Sequence, residues 1–446
     1  MTTVKIGLKE FAQRRRELMA LMEVNSIAIL PSAGLMRRNN DVEFQFRQDS
    51  DFHYLTGFDE PESVFVLIPG REHGECILFC RERDASMEQW HGKIVGPERA
   101  MQLYGIDDAF PIADIDDILP GLIEAKSKLY YGMGSHAEFD GRIIAWVNSI
   151  STNQQTGTRP PGEFVQLGQY LHELRLFKSK QEVAVIKRAA EITAMGHKRL
   201  LANTTAGMYE YQLEGELLHT FMMNGARSPA YPSIVGSGHN GCILHYIQND
   251  DQIKKGDLVL VDAGCEYEYY ATDVTRTFPV SGKFSKAQKE IYSIVLAAQQ
   301  AAIETIKPGN HWNQPHEAAV QVITSGLVEL GLLEGEVEEL ITSEAYKKFY
   351  MHRTGHWMGL DVHDVGEYKI ANTWRMFEAG MVTTIEPGIY ISEDLDDVPA
   401  KYRGIGIRLE DDVLVTRQGH EILTASIPKT IDEVEGYMTN TVVDVA

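Results

Sequence analysis

Five residues in the second half of the chain, Asp262, Asp273, His356, Glu386 and Glu410, sit in contexts that together read as a ligand set for a pair of metal ions. The chemistry this points to is metal-dependent hydrolysis. The run DLVLVDAGCEYEYYATDVTRTFPV alternates in strand fashion on both sides of a polar middle. Asp262 and Asp273 are equally distant from a turn centred between Tyr267 and Glu268, so a hairpin in that register sets the two carboxylates opposite one another on one face. Like charges directly opposite are unfavourable, and a cation between them is the expected remedy. The bland alternative is a pair of acids on a solvent-facing hairpin.

The segment KYRGIGIRLEDDVLV is read as a strand with Ile405, Ile407 and Leu409 on one face and Gly404, Gly406, Arg408 and Glu410 on the other. The two glycines are expected to clear space beside the charges, with Arg408 orienting the carboxylate of Glu410. An exposed ion pair is the alternative. Glu386 ends the β-like run of MVTTIEPGIY before a Pro-Gly turn, and MHRTGHWMGLDVHDVGEY carries His352, His356 and His363. No HExxH is present, and Thr354 and Gly355 disfavour a helix between the first two histidines. Any one of these histidines alone reads as a packed or capping residue; their density near Glu386 is what points to a site.

The elements that must position these residues are partly legible. An amphipathic helix is predicted from about Lys9 to Glu23, followed by the strands SIAILP and SVFVLIPG and by helices near Glu98 and Glu138. This is an alternating α/β first domain, 1–175. The run from Ser151 to Phe164, rich in Gly, Pro and polar residues, reads as a linker. Ser179 with Glu182, and Ser285 with Gln288, are capping-box signatures; they open one long helix running to about Ala202 and another ending at Lys307-Pro308-Gly309. Each is followed by another helical stretch and then by β-rich sequence, a weak internal duplication within a second domain, 176–446. The acidic run from Leu333 to Leu340 reads as a solvated helix face.

Composition narrows the class. With 43% hydrophobic and 24% charged residues over 446 positions, the chain has enough apolar side chains for two or three globular domains. A formal charge of −22, from 42 basic against 64 acidic residues, makes nucleic acid an unexpected partner. The first twenty residues lack a signal-peptide core and no later apolar run is long enough to cross a bilayer, so a soluble cytoplasmic protein is expected. Cys76, Cys80, Cys242 and Cys265 are too few and scattered for a disulfide framework and read as buried free thiols. Cys76 and Cys80 share a strand face in ECILFC without a ligand role.

VDAGCEYEYYATDVTRTFPV, HRTGHWMGLDVHD, TIEPGIY and YRGIGIRLEDD, in that order, resemble the metallopeptidases of the pita-bread fold, which include methionine aminopeptidase, prolidase and creatinase. Within that group the likeness is to the bacterial Xaa-Pro aminopeptidases, the aminopeptidase P family. It extends to DFHYLTGFDEPES, HELRLFKSKQE, YPSIVGSGHNGCILHY and ASIPKT, nearly the whole chain. The resemblance implies an α/β (α+β) protein, with an N-terminal α/β domain before a pita-bread catalytic domain holding two divalent ions, Mn2+ foremost. Asp262 would bind one ion, His356 and Glu386 the other, and Asp273 and Glu410 both; four carboxylates balance two divalent cations, and oxygen-rich ligation suits manganese.

The same resemblance implies that a hydroxide held between the ions attacks the scissile carbonyl, with Glu386 as base and His245 and His363 hydrogen-bonding the carbonyl oxygen. His352, Arg408 and Tyr390 would line a pocket for the proline of peptides carrying it at the second position, and VGSGHNG is read as a turn shaping that pocket. Trp90 resembles a position that reaches a neighbouring subunit, so a homo-oligomer, dimer or tetramer, is implied; local packing is the alternative. Arg353 departs from the small residue many relatives have after His352. Two other readings stay open, a prolidase confined to dipeptides and a non-catalytic binding protein that kept the fold. An empty cluster of four carboxylates would repel itself, which weighs against the second.

Overall fold

A computed structural model of the protein describes residues 4–152, 157 and 159–441, and the chain divides into two compact units, Ile6–Arg175 and one that begins at Leu176. In the first unit the strand Ser26–Pro31 lies between Val64–Leu67, antiparallel, and Lys128–Tyr131, parallel. Cys76–Cys80, Asp108–Pro111 and Glu163–Gln166 complete a mixed six-stranded sheet. Val64–Leu67 and Cys76–Cys80 are buried throughout, as strands covered on both faces must be. The first helix, Leu8–Leu21, buries Phe11 and Leu18 and also Arg14 and Arg15, whose guanidiniums donate to the carbonyls of Tyr54 and Leu55. All four cysteines are free, and burial raises the Cys76 and Cys80 thiols to about 12, which makes both inert.

The Gly- and Pro-rich run lies inside this unit. It leaves the helix Ala137–Thr152 and ends in the strand Glu163–Gln166, which pairs with Lys128–Tyr131; residues 153–156 and 158 of it are outside the described residues.

The second unit carries the helices Lys180–Asn203 and Glu210–Met223, then strands, then Lys286–Glu304 and Gln314–Glu329, then strands again. Both capping boxes form: the Ser179 hydroxyl accepts from Glu182 N and that of Ser285 from Gln288 N, each glutamate or glutamine side chain returning to the cap backbone. Ile234–Ser237, Leu258–Asp262 and Thr275–Pro279 form one antiparallel sheet. Val382–Ile385, Asp411–Thr416 and Gly419–Ile422 form another, and Gly388–Ile391 pairs with Ile405–Arg408. The acidic run is only partly helical, Val337–Thr342, and its residues are exposed or half-buried.

Candidate metal centre

Asp262 is the last residue of Leu258–Asp262 and faces Thr275 across the sheet. The connection is wider than a simple hairpin of the expected register. Cys265–Tyr267 pairs with Tyr270–Ala271 around a two-residue turn whose Glu268 and Tyr269 have φ of 49° and 72°. The turn centre is thus between Glu268 and Tyr269, one position later than the alternation suggests, and Asp273 is diagonal to Asp262 instead of opposite it. A diagonal neighbour stays on the same face, so the two carboxylates still converge. Neither turn residue is a glycine or asparagine, which is why the letters misplace the centre.

Tyr231 Oη lies 2.6 Å from Asp262 Oδ1 and 2.5 Å from Asp273 Oδ1. Arg408 donates to Asp262 Oδ2 at 2.6 Å, to Tyr390 Oη at 2.9 Å and through Nε to Thr275 Oγ1 at 3.0 Å. The orientation of Glu410 comes from elsewhere: its Oε2 accepts from Thr275 Oγ1 at 2.7 Å and its backbone N–H reaches Thr275 O. The expected Arg408–Glu410 pairing is therefore corrected to Arg408–Asp262, because the Thr277 hydroxyl, on the strand paired with that of Asp262, bonds both the N–H and the carbonyl of Arg408 and holds it against that sheet.

The glycines on that strand serve the backbone more than the pocket. A Cβ on Gly406 would stand 2.1 Å from Gly241 O, so this glycine admits the turn Gly238–Cys242 against the strand. Gly404 has φ of 74° and sits in the turn before the strand. The reading of VGSGHNG as a shaping turn acquires a mechanism in this close approach.

His356 lies in an irregular segment pinned to the strand Val382–Ile385 by Thr384 N to His356 O and Met358 N to Val382 O. The preceding Gly355 is obligatory, since a Cβ there would lie 2.0 Å from Thr384 O. His356 Nδ1 contacts Trp357 O at 2.9 Å, a carbonyl that can only accept, so Nδ1 carries hydrogen and Nε2 is turned to the acids. Nε2 is 3.2 Å from Asp273 Oδ2 and 3.6 Å from Glu386 Oε1. One ligand atom each from Asp273, His356 and Glu410 lies within 4.8 Å of the others.

The electrostatics ask for a cation. Burial, reinforced by Asp273 and Asp262 against His356 and Arg408, raises Glu386 to about 7. Burial together with the charges of Asp273, Glu386 and Asp262 puts Glu410 well above the usual carboxylate range. Burial also raises Asp262, against the pull of Arg408. At His356 burial works downward, and the Asp273 hydrogen bond and Glu386 charge more than reverse it, to about 9. At Asp273 the same hydrogen bond overcomes burial and lowers the pKa. A divalent ion would remove the mutual repulsion that these shifts record, and the donor set, oxygens plus one oriented imidazole nitrogen, fits one.

A cavity of about 810 Å³ opens over this cluster, lined by Asp262, His356, Glu386, Arg408, His245, His352 and His363 among others. His363 packs edge-on to His356, ring centroids 4.3 Å apart. Tyr390, buried, joins His352 Nε2 at 2.8 Å to Arg408. All ten expected site residues thus gather here. The sequence reading missed Tyr231, Thr275 and Asp412, whose carboxylate receives the Asp273 N–H at 3.2 Å. Thr275 and Asp412 are each two residues from an expected ligand, a spacing that keeps them on the same strand face and could have marked them.

Residues 184–417 match the model of metallopeptidase family M24, and residues 11–130 match that of the aminopeptidase P N-terminal domain. The chain is 45% identical to the Xaa-Pro aminopeptidase of Escherichia coli over 97% of its own length and 98% of that protein's. It is 32% identical to human Xaa-Pro aminopeptidase 3 over 96% and 85%. The solved structure of Pseudomonas aeruginosa aminopeptidase PepP superposes with a TM-score of 0.98 at 56% identity, covering 99% of this chain and 100% of that one. A zinc-substituted Escherichia coli aminopeptidase P in complex with product gives 0.96 at 44% identity, covering 98% and 99%. With its catalytic unit, its N-terminal domain and its full length all accounted for in this way, the chain belongs to metallopeptidase family M24, in the branch that carries the aminopeptidase P N-terminal domain on a pita-bread catalytic domain.

Proposed function

We propose that the protein hydrolyses the bond between an N-terminal residue and a following proline, releasing the first residue. The observation that carries this is the convergence of Asp273, Glu386 and Glu410 on His356, with Asp262 joined to Asp273 through Tyr231, under an open cavity. The relatives named Xaa-Pro aminopeptidase supply the substrate class. Asp262 would hold one divalent ion, His356 and Glu386 a second, and Asp273 and Glu410 both; manganese is the proposed metal. Such ions supply Lewis-acid polarisation of the scissile carbonyl and a water nucleophile usable at neutral pH.

The protein's own groups do the rest. The Glu386 carboxylate accepts the proton of the attacking water. His245 and His363, both exposed in the cavity, donate to the carbonyl oxygen as negative charge develops there. His352, Tyr390 and Arg408, linked by hydrogen bonds, form a fixed wall against which the proline ring packs. Proline has no amide N–H to offer a peptide-binding backbone, so a shaped wall must replace that contact.

The catalytic domain is taken as 176–446, after an N-terminal domain of 1–175. The proposed setting is the cytoplasm, with peptides as partners and no nucleic acid or membrane; among the described residues no helix is long and apolar enough to cross a bilayer. Trp90 is 82% exposed, which supports a role at a contact between copies in a homo-oligomer, dimer or tetramer.

Metal-stripped protein, with and without added manganese, is assayed on Arg-Pro-Pro and on the dipeptide Ala-Pro. Manganese-dependent release of arginine from the tripeptide is the expected result. Cleavage of the dipeptide alone would make the protein a prolidase, and silence on both with metal bound would return it to the binding-protein reading.

A further inference from the structure

The mouth of the cavity carries two cations mounted on tryptophan. Lys369–Ile370 pairs with Thr373–Trp374 in a short hairpin whose turn residues, Ala371 and Asn372, have φ of 47° and 65°. Lys369 is directly opposite Trp374, and its Nζ lies 4.0 Å from the Trp374 ring centroid. The hairpin is tied to the helix-side loop by Trp312 N to Arg375 O at 2.8 Å, which holds the Trp312 and Trp374 rings with centroids 5.7 Å apart. Arg353 reaches over both rings, at 5.4 and 5.3 Å, and donates to Asn313 Oδ1. Arg353, Lys369, Trp312 and Trp374 all line the cavity.

Ring faces hold a cation in place without cancelling its charge, in contrast to a carboxylate. Among the described residues neither Arg353 nor Lys369 is ion-paired, in a chain with 64 acidic residues. Glu317, whose charge Arg353 feels, is engaged by the Asn313 amide at 2.6 Å. The cavity is therefore polarised, with carboxylates at its floor and exposed, uncompensated cations at its mouth. A peptide has the same polarity, an ammonium at the first residue and carboxylates further along.

We propose that Arg353 and Lys369, held on Trp312 and Trp374, form a subsite that binds a carboxylate of the peptide downstream of the proline and so sets substrate preference. This rests on the aminopeptidase reading, which puts the first residue at the floor and the following residues at the mouth. The carboxylate has two sources, the C-terminus of a tripeptide and an acidic side chain at the third position of a longer peptide.

The test compares Ala-Pro-Ala with its C-terminal amide for the first source, and Ala-Pro-Glu-amide with Ala-Pro-Gln-amide for the second. In the wild-type protein the carboxylate-bearing member of at least one pair is expected to have a KM about threefold to tenfold lower, the range of a partly exposed charge pair. Added salt should shrink that ratio. In Arg353→Gln/Lys369→Gln the ratio falls to one, and the single variants are intermediate. Equal KM values in both pairs for the wild type, or an unchanged ratio in the double variant, would overturn the subsite. Calorimetric binding of the same peptides to metal-stripped protein separates the two proposals. Discrimination without turnover keeps the subsite and removes the peptidase reading, whereas turnover without discrimination does the reverse.

Discussion

Tyr231 has one phenolic hydrogen and stands within hydrogen-bonding distance of two carboxylates. Burial and the nearby Asp262, Asp273 and Glu410 charges keep that phenol protonated far beyond its ordinary range, so it acts as a donor and never as a base. Its role is to fix the relative orientation of Asp262 and Asp273. Tyr231→Phe should therefore weaken metal binding by about tenfold to a hundredfold, the usual effect of losing a group that orients ligands, while leaving thermal stability nearly unchanged. Competition with a chelator measures this, and an unaltered affinity would remove Tyr231 from the supporting set. The difference in legibility between Tyr231 and the ligands has a plain cause. Asp262, Glu386 and Glu410 end or interrupt runs of alternating apolar residues, where a carboxylate is out of place. Tyr231 sits in irregular chain between Ser228–Pro229 and Ile234–Ser237, where a tyrosine violates no pattern. For Arg408 the sequence predicts the right face and the wrong partner, because alternation fixes direction along one strand and says nothing of which strand lies against it.

Among the elements, the pair Gly388–Ile391 and Ile405–Arg408 carries the side wall of the site and shows how little tolerance it has. Tyr390 faces Gly406 across the pair, and Gly406 receives the backbone of Gly241 from the other direction. Gly406→Ala would drive a Cβ to 2.1 Å from Gly241 O, a backbone atom that cannot rotate away. The turn or the strand must move, and a loss of about 1–3 kcal/mol is expected from such overpacking. Thermal denaturation would show it as a lower midpoint, and activity should fall further than stability because Arg408 and Tyr390 move with the strand. A variant with wild-type midpoint and wild-type activity would show that the turn yields freely. The capping boxes at Ser179 and Ser285 were legible because their donors and acceptors lie three residues apart. Gly406, Gly355 and the Glu268-Tyr269 turn were misread or unexplained because what each meets is backbone distant in sequence, or a left-handed conformation held by non-glycine residues.

At the scale of the whole molecule, the catalytic unit rests on buried polar groups that tolerate one protonation state. His197, on the helix Lys180–Asn203, is fully buried, with Nε2 2.9 Å from Ala263 O and Nδ1 without a hydrogen-bond partner among the described residues. Burial lowers its pKa from 6.5 to about 4. Between these values the unfolded chain binds a proton that the folded one refuses. The contribution is therefore full above the unfolded value and is lost as pH falls toward the folded one, about 2 kcal/mol between roughly pH 7 and pH 5. Urea unfolding of metal-stripped protein reads this as a difference between wild type and variant, because the raised Glu386 and Glu410 act in the opposite sense and are common to both. His197→Asn should gain about 2 kcal/mol on the wild type between roughly pH 7 and pH 5, and an equal slope in the two would place the sensitivity elsewhere. Beneath Glu410, Asp411 is held to about 2, burial being outweighed by its pairs with Arg276 and Lys429, each at 2.7 Å, so that network resists acid where His197 does not.

The order in which the chain leaves the ribosome gives the spread of the acidic groups a further meaning. Asp262 and Asp273 are made well before His356, Glu386 and Glu410, and the Arg276 guanidinium, which reaches Thr275 O locally, waits for Glu410 O and Asp411 before its bonds to the later strands exist. An unfinished chain holds two carboxylates and a tyrosine, too few donors to retain a divalent ion in competition with the cell's small chelators. Assembly of the full donor set thus waits until the chain has been made as far as Glu410, and a bound ion becomes a mark of a catalytic unit whose early and late strands have met, one that a chain cut before that point cannot counterfeit.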